Sequence, residues 1–458
     1  MRIMKPRWKA VLICMALLWM GNSPLSAQET PQEVREVKQE VKQLQRDIRD
    51  LRREVQKLQE ELAGLHQNDF PGYMTDSIDT YTPHRFIHQL GVEARPQYVF
   101  PTNPFFQGEN ERWKPIRSSF AAHLKYSFKF RPNTCADRIY GGAYQGVGLA
   151  FTTFGEKKQL GDPFTFYVFQ GARIAQFNPR LSLNYEWNFG ISAGWQPYDN
   201  DFNSYNGAVG SRMNAYLNAG IYLSWAFSRD FDLIIGGDVT HFSNGNTKFP
   251  NAGVNTTGAK IGVVYNFNRE EKDLTQSFLK PVVPRFPKHV SYDVVLFGSW
   301  RRKGVWMGEK QIASPGSYPV AGFNIAPMYN WGYKFRAGLS LDGVYDGSAN
   351  VYIDDNDGEY TGSRRKFVQP SVQHQLGLGV SARAEYVMPY FTIGVGLGTN
   401  VLGRGDLRGL YQVFALKISV TRSSFLHIGY NLQDFQTPNY LMLGLGFRLN
   451  NKYPKVRH

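Results

Sequence analysis

Two periodicities divide the chain. Over residues 31–67 apolar side chains recur at alternating steps of three and four: Val34, Val37, Val41, Leu44, Ile48, Leu51, Val55, Leu58, Leu62 and Leu65. That is the seam of an α-helical coiled coil, and so regular a seam needs a partner helix to cover it. The first series is mainly Val or Ile and the second mainly Leu, which predicts a homo-oligomer through 31–67, a parallel dimer or a trimer. From about residue 86 the step becomes two. "LSLNYEWNFGISAGW" (181–195) puts Leu181, Leu183, Tyr185, Trp187, Phe189, Ile191, Ala193 and Trp195 on one face, with Ser182, Asn184, Glu186, Asn188 and Ser192 on the other. "MNAYLNAGIYLSWAF" (213–227) and "SSFAAHLKYSFKF" (118–130) repeat the pattern. Strands of a soluble sandwich usually run five or six residues. Longer alternating strands with aromatics near both ends predict an all-β, antiparallel transmembrane β-barrel, apolar outside and polar inside.

Such segments number eight between 86 and 267 and about eight more between 290 and 450. The connections alternate in length: "NPR" (178–180), "SRD" (228–230), "WGY" (331–333) and "MPY" (388–390) are tight, whereas 101–117, 198–212, 245–254 and 347–372 are long and polar. Short turns face the periplasm and long loops the exterior. A charged, proline-rich stretch at 269–289 separates the two sets and is longer than neighbouring strands of one sheet require. Two eight-stranded barrels in tandem are therefore expected over one of sixteen strands. The halves also look related, since "DLIIGGDVTHFSN…FPN" (232–251) overlays "FLHIGYNLQDFQTPN" (425–439), with Asp434 in place of His241 and Gln436 in place of Ser243.

Composition refines this picture. Aromatics at 15% and 45 glycines suit an all-β protein. Arg2, Lys5, Arg7 and Lys9 precede the short apolar run "VLICMALLWMG" (11–21) and "SPLSA", the grammar of a signal peptide cleaved after Ala27. Its loss lowers the formal charge of +14 by four and leaves Cys135 as the single cysteine, which excludes an intrachain disulfide framework or a cysteine metal site. The expected division is a signal peptide (1–27), a periplasmic coiled coil and linker (28–85), a first barrel (86–268), a linker (269–289), a second, degenerate barrel repeat (290–450) and a tail (451–458).

One strand breaks the apolar pattern. In "LIIGGDVTHFS" the face of Leu233, Ile235 and Val239 ends in His241 and Ser243, while Asp238 points inward. In the next strand Asn255 falls on the same lipid-facing side. A serine becomes a nucleophile when an imidazole takes its proton, and the imidazole works best with a third group fixing its tautomer. Side-chain origins two apart on a strand lie about 7 Å from each other, within mutual reach. "NGN" (244–246) offers donors for an oxyanion. At the height of the outer-leaflet head groups, the substrate of such a trio would be a lipid. The bland alternative is a barrel rim whose polar residues merely hydrogen-bond head groups.

The stretch His241-Phe242-Ser243-Asn244, then Pro250-Asn251, then Gly253-Val254 before a final strand, resembles the PagL family of lipid A 3-O-deacylases. The resemblance covers 86–268 and implies an eight-stranded outer-membrane barrel of a Gram-negative bacterium acting on lipid A of lipopolysaccharide. It implies His241 as general base, Ser243 as nucleophile and Asn244 as an oxyanion donor. Where a family member has glutamate two residues after the glycine, this chain has Asn255, which can accept the histidine N–H but cannot offset an imidazolium. The expected function is thus a serine esterase releasing an ester-linked acyl chain. The alternatives are a non-catalytic scaffolding barrel or a phospholipase using the same site.

"YIDDNDGEY" (352–360) fails the register of a calcium loop, because Ile353 occupies the first ligand position. No zinc spacing, phosphate-binding glycine loop or nucleic-acid module is present, so no metal, cofactor or nucleic-acid partner is expected. Basic clusters at Arg301-Arg302-Lys303 and Arg364-Arg365-Lys366 lie at or near the long loops, where they can pair with lipid phosphates or remain solvated.

Overall fold

In the computed structural model of the chain, the described residues are 86–275, 281–307, 310–353, 367–435 and 437–454, with scattered helical positions between 46 and 57. The signal peptide, the seam positions of the coiled coil and the cluster at 364–366 lie outside them.

The first antiparallel sheet comprises β1 (Phe86–Val99), β2 (Ser118–Phe130), β3 (Tyr144–Thr153), β4 (Gly161–Asn178), β5 (Leu181–Trp195), β6 (Met213–Ala226), β7 (Phe231–Ser243) and β8 (Val254–Asn266). Each strand pairs with the next, and β8 returns to β1, closing a barrel. The chain then forms β9 (His289–Arg301), a hairpin of β10 (Gly304–Met307) and β11 (Lys310–Ala313), β12 (Tyr318–Asn330) and β13 (Phe335–Asp346). A second small hairpin, β14 (Tyr352–Ile353) with β15 (Phe367–Val368), precedes β16 (Leu376–Val387), β17 (Phe391–Leu402), β18 (Leu410–Ser419), β19 (Ser424–Gln433) and β20 (Thr437–Leu449). Omitting the two hairpins, eight of these strands close a second barrel through β20 and β9. The architecture is therefore tandem, not one sixteen-stranded sheet.

Both barrels are inside out relative to a soluble protein. In β7, Ile235 and Val239 are 52% and 55% exposed, while lumenal Glu93, Lys125, Glu186 and Lys260 are buried. Burying charge is tolerable only when it is paired. Glu186 Oε1 accepts from Lys125 at 2.6 Å and Lys260 at 2.8 Å, and Arg95 reaches Glu93 at 2.5 Å and Asp238 at 2.7 Å. In the second lumen Asp293 binds Lys417 at 2.7 Å and Arg448 at 2.8 Å. An apolar band outside and a neutralised polar lumen inside fit a lipid environment.

The four tight turns named from the sequence fall where it places them. At the same end of the first barrel, residues 131–143 form a longer connection with a short helix, Cys135–Tyr140, capped by the Thr134 side chain. This connection helps join the barrels: Ala143, Ala172 and Met388 form a buried cluster with Tyr140, Tyr185 and Tyr386 against it. The Trp187 and Phe391 rings lie 5.1 Å apart. Contact with the second barrel explains why Tyr185 and Trp187 on β5 are only half-exposed while Ile221 and Leu223 on β6 stand open.

Candidate active site

Phe242 fixes the site. It is 2% exposed and points into the lumen, where its ring lies 5.0 Å from Trp195 and 5.3 Å from Tyr216. Strand alternation then turns its neighbours His241 and Ser243 outward, onto the apolar wall with Val239. In register, His241 lies opposite Asn255 on β8 and Leu217 on β6, and Ser243 opposite Ala215.

The imidazole Nδ1 is 2.7 Å from Asn255 Oδ1. A carbonyl oxygen only accepts, so Nδ1 carries a proton, and in the neutral ring Nε2 is the nitrogen with the lone pair. Gly253, at φ +74°, sits between the imidazole and the serine. A Cβ there would lie 3.0 Å from His241 Cε1 and 3.7 Å from Ser243 Cβ, so those two atoms are less than about 7 Å apart across a bare glycine. Ser243 and His241 form no hydrogen bond with each other among the described residues, but free-enzyme contacts of this kind are often looser than those with substrate. Asp238, by contrast, is committed to Arg95 inside the lumen and cannot assist the histidine.

The following loop is held by its own side chains. Asn244 N–H donates to Asn251 Oδ1 at 2.9 Å, Asn251 Nδ2 donates to Asn246 Oδ1 at 3.1 Å, and Thr247 Oγ1 donates to Asn244 O at 2.8 Å. Lys248 N–H approaches Asn244 Oδ1 at 3.4 Å. These bonds leave Asn244 Nδ2 as a buried donor with no partner among the described residues. A buried donor left unmatched is costly, and an anionic oxygen is the partner that would best offset that cost.

His241, Ser243 and Asn255 thus share one side of the wall, and Asn244 follows Ser243 at the head of the loop, its side chain buried. Reading the sequence missed Gly253 and Asn251 as organisers of the site, although both stood in the motif. It also missed that Gly245 packs on Leu441 and Tyr430 of the second barrel, a contact without local signal. Among the described residues no group of three potential metal ligands occurs.

Together these features define a tandem transmembrane β-barrel with a serine–histidine–asparagine constellation on its outer wall. Both barrels are PagL-like: residues 120–264 match lipid A 3-O-deacylase (PagL), and residues 290–451 match the acyloxyacyl hydrolase C-terminal domain. A comparison with curated protein sequences finds no match. Among solved structures, Neisserial surface protein A is similar at 10% identity, covering 39% of this chain and 97% of its own, with a TM-score of 0.27. An outer-membrane protein of Acinetobacter baumannii is similar at 10% identity, covering 79% and 98%, with a TM-score of 0.15. An outer-membrane channel of Pseudomonas putida F1 is similar at 12% identity, covering 82% and 99%, with a TM-score of 0.16. Scores this low say nothing about function, and the fold rests on the strand pairing itself.

Proposed function

We propose that this protein is an outer-membrane serine esterase that removes an ester-linked acyl chain from lipid A in the outer leaflet. The observation that carries the reading is the Asn255–His241 hydrogen bond beside Ser243 on a lipid-facing wall. The family match supports lipid A as the substrate. In the proposed reaction His241 Nε2 takes the Ser243 hydroxyl proton as Oγ attacks the ester carbonyl. Asn244 Nδ2 donates to the resulting oxyanion, an interaction made only as charge develops. The carbonyl re-forms as the sugar hydroxyl leaves with the proton from His241. Water, deprotonated by the same imidazole, then hydrolyses the acyl-serine and releases the fatty acid. The long loops face outward, which sets the site at head-group height, and the N-terminal helix lies in the periplasm and oligomerises the chain.

The test is mass spectrometry of lipid A from cells expressing the wild type or Ser243→Ala, each checked for a folded barrel. Loss of one acyl chain with the wild type alone is expected. Identical lipid A spectra would sink the reading, and lysophospholipid accumulating in their place would mark a phospholipase.

A further inference from the structure

The second barrel lacks the histidine and serine, yet it abuts the loop that follows Ser243. Gly245 lies against Leu441 and Tyr430, and Arg302 N–H donates to Asn246 O at 3.0 Å. That contact brings the cluster Arg301-Arg302-Lys303 to within a few residues of the candidate nucleophile.

The three cations are not equivalent. Arg301 is buried, bonded to Asp346 at 3.0 Å and Asn439 at 2.6 Å, and serves the loop end of the second barrel. Lys303 is paired with Asp406; partial burial would raise that carboxyl, but Lys303 holds it below the usual carboxylate range. Arg302 differs. Its Nε donates to Ser314 O at 2.7 Å, which orients the guanidinium, and it forms no ion pair with a carboxylate among the described residues. Both Nη groups have no hydrogen-bond partner there. Across the same loop, exposed Lys248 likewise forms no ion pair among the described residues. An oriented, half-buried guanidinium without a counter-ion favours a planar oxyanion group that takes two N–H bonds at once, and a flexible ammonium adds a point charge.

We propose that Arg302 of the second barrel, assisted by Lys248 of the first, binds a phosphate of the lipid A head group and so seats the acyl ester against Ser243. This assignment rests on the deacylase reading above. It gives the second barrel a substrate-binding task, with Arg302 as a specificity residue and the Arg302–Asn246 backbone bond as its fixed point. Because that bond uses the main chain, replacing the side chain leaves it in place.

The test uses the full chain in detergent micelles, with each variant first shown to keep the heat-modifiable gel mobility of a folded barrel. Hydrolysis of bisphosphorylated lipid A is compared with that of the same lipid A after dephosphorylation. Arg302→Gln is expected to reduce the preference for the phosphorylated substrate about tenfold, through KM, by loss of a charged hydrogen-bonding contact. Arg302→Lys should restore part of it, and Lys248→Gln should cost less. Binding is read separately with the Ser243→Ala protein, where adding Arg302→Gln should weaken association with bisphosphorylated lipid A by a similar factor. An unchanged preference and unchanged binding would overturn the proposal and leave the deacylase reading standing. A wild type that cleaves neither substrate would overturn the deacylase reading, and the binding comparison would still decide whether Arg302 holds a phosphate. Equal weakening toward phosphatidylglycerol vesicles would overturn the assignment to lipid A.

Discussion

The seventh strands of the two barrels end differently. In the first barrel β7 continues through Ser243, Phe242 is buried among lumenal aromatics, and a ten-residue loop, 244–253, leads into β8. In the second, β19 stops at Gln433 and the chain turns at once: Asp434 and Phe435 have φ of +47° and +59°, and Phe435 is 65% exposed. The overlay of Phe242 on Phe435 therefore joins a strand residue whose ring anchors the wall to a turn residue whose ring stands exposed. Asp434 accepts from Leu410 N–H at 3.3 Å in that turn and does not stand on the outer wall as His241 does. The site thus depends on three extra residues of strand and a long loop as much as on the identity of its histidine and serine.

That contrast is most directly broken by mutating corresponding positions. Ser243→Ala should lower deacylation by about a thousandfold or more, as for other serine nucleophiles. Asp434→Ala should leave it unchanged. Lipid A profiles from cells carrying each variant check both, and a dependence on Asp434 would mean that the second barrel carries chemistry of its own.

The lumens, in contrast, should behave alike. Glu186 neutralises two buried lysines and also accepts from Tyr144 at 2.9 Å, while Asp293 does comparable work for Lys417 and Arg448. Removing either carboxylate leaves buried cations short of one anion, with Glu93 still beside Lys125 and Lys260 and Glu385 still beside Lys417, at a cost of up to about 3–5 kcal/mol. Urea unfolding of Glu186→Gln and Asp293→Asn in lipid vesicles should show similar losses. A neutral result for one alone would mean that its lumen admits enough water to replace the anion.

Gly253→Ala comes next. The new methyl group would meet His241 Cε1 at 3.0 Å and Phe242 O at 2.9 Å, in a left-handed conformation that already disfavours alanine. A displacement of about 1 Å at a catalytic group can cost about a hundredfold in rate. The turnover number should fall while the folded-barrel mobility on gels persists. Unchanged turnover would show that the histidine does not need its present position.

Much of this was readable in the residues. Lipid outside and polar lumen inside impose a strict period of two, so the strands, their count and the outward facing of His241 and Ser243 followed from alternation. Asn255 could be placed beside them because adjacent antiparallel strands share a face at a register set by their loop. The helical connection at 131–143 was not anticipated, since a turn whose length reflects contact with a neighbouring barrel carries no periodic signal. The same holds for Arg302: its distance from Ser243 is set by how the two barrels pack, not by spacing along the chain. The overlay of the halves misled at its end because matching Phe and Pro-Asn pairs concealed a shorter β19 and a missing loop.

Asn255 sharpens the comparison within the first barrel itself. Its carbonyl oxygen holds Nδ1–H at 2.7 Å, so the tautomer is already correct. What an amide does not supply is negative charge to stabilise the imidazolium that forms, in the proposed reaction, when Ser243 gives up its proton. A charge-assisted hydrogen bond is roughly twice as strong as a neutral one, a difference of about 1–2 kcal/mol. Asn255→Asp, which keeps the side-chain length, should therefore raise turnover about tenfold with little change in KM, because the added interaction appears only once the proton has moved. Asn255→Ala should lower turnover by freeing the ring to rotate. Steady-state kinetics on micellar lipid A separates these outcomes. If the aspartate and alanine variants were equally impaired, the amide would be serving through its NH2 group, and the orientation of the histidine would have to come from elsewhere on the wall.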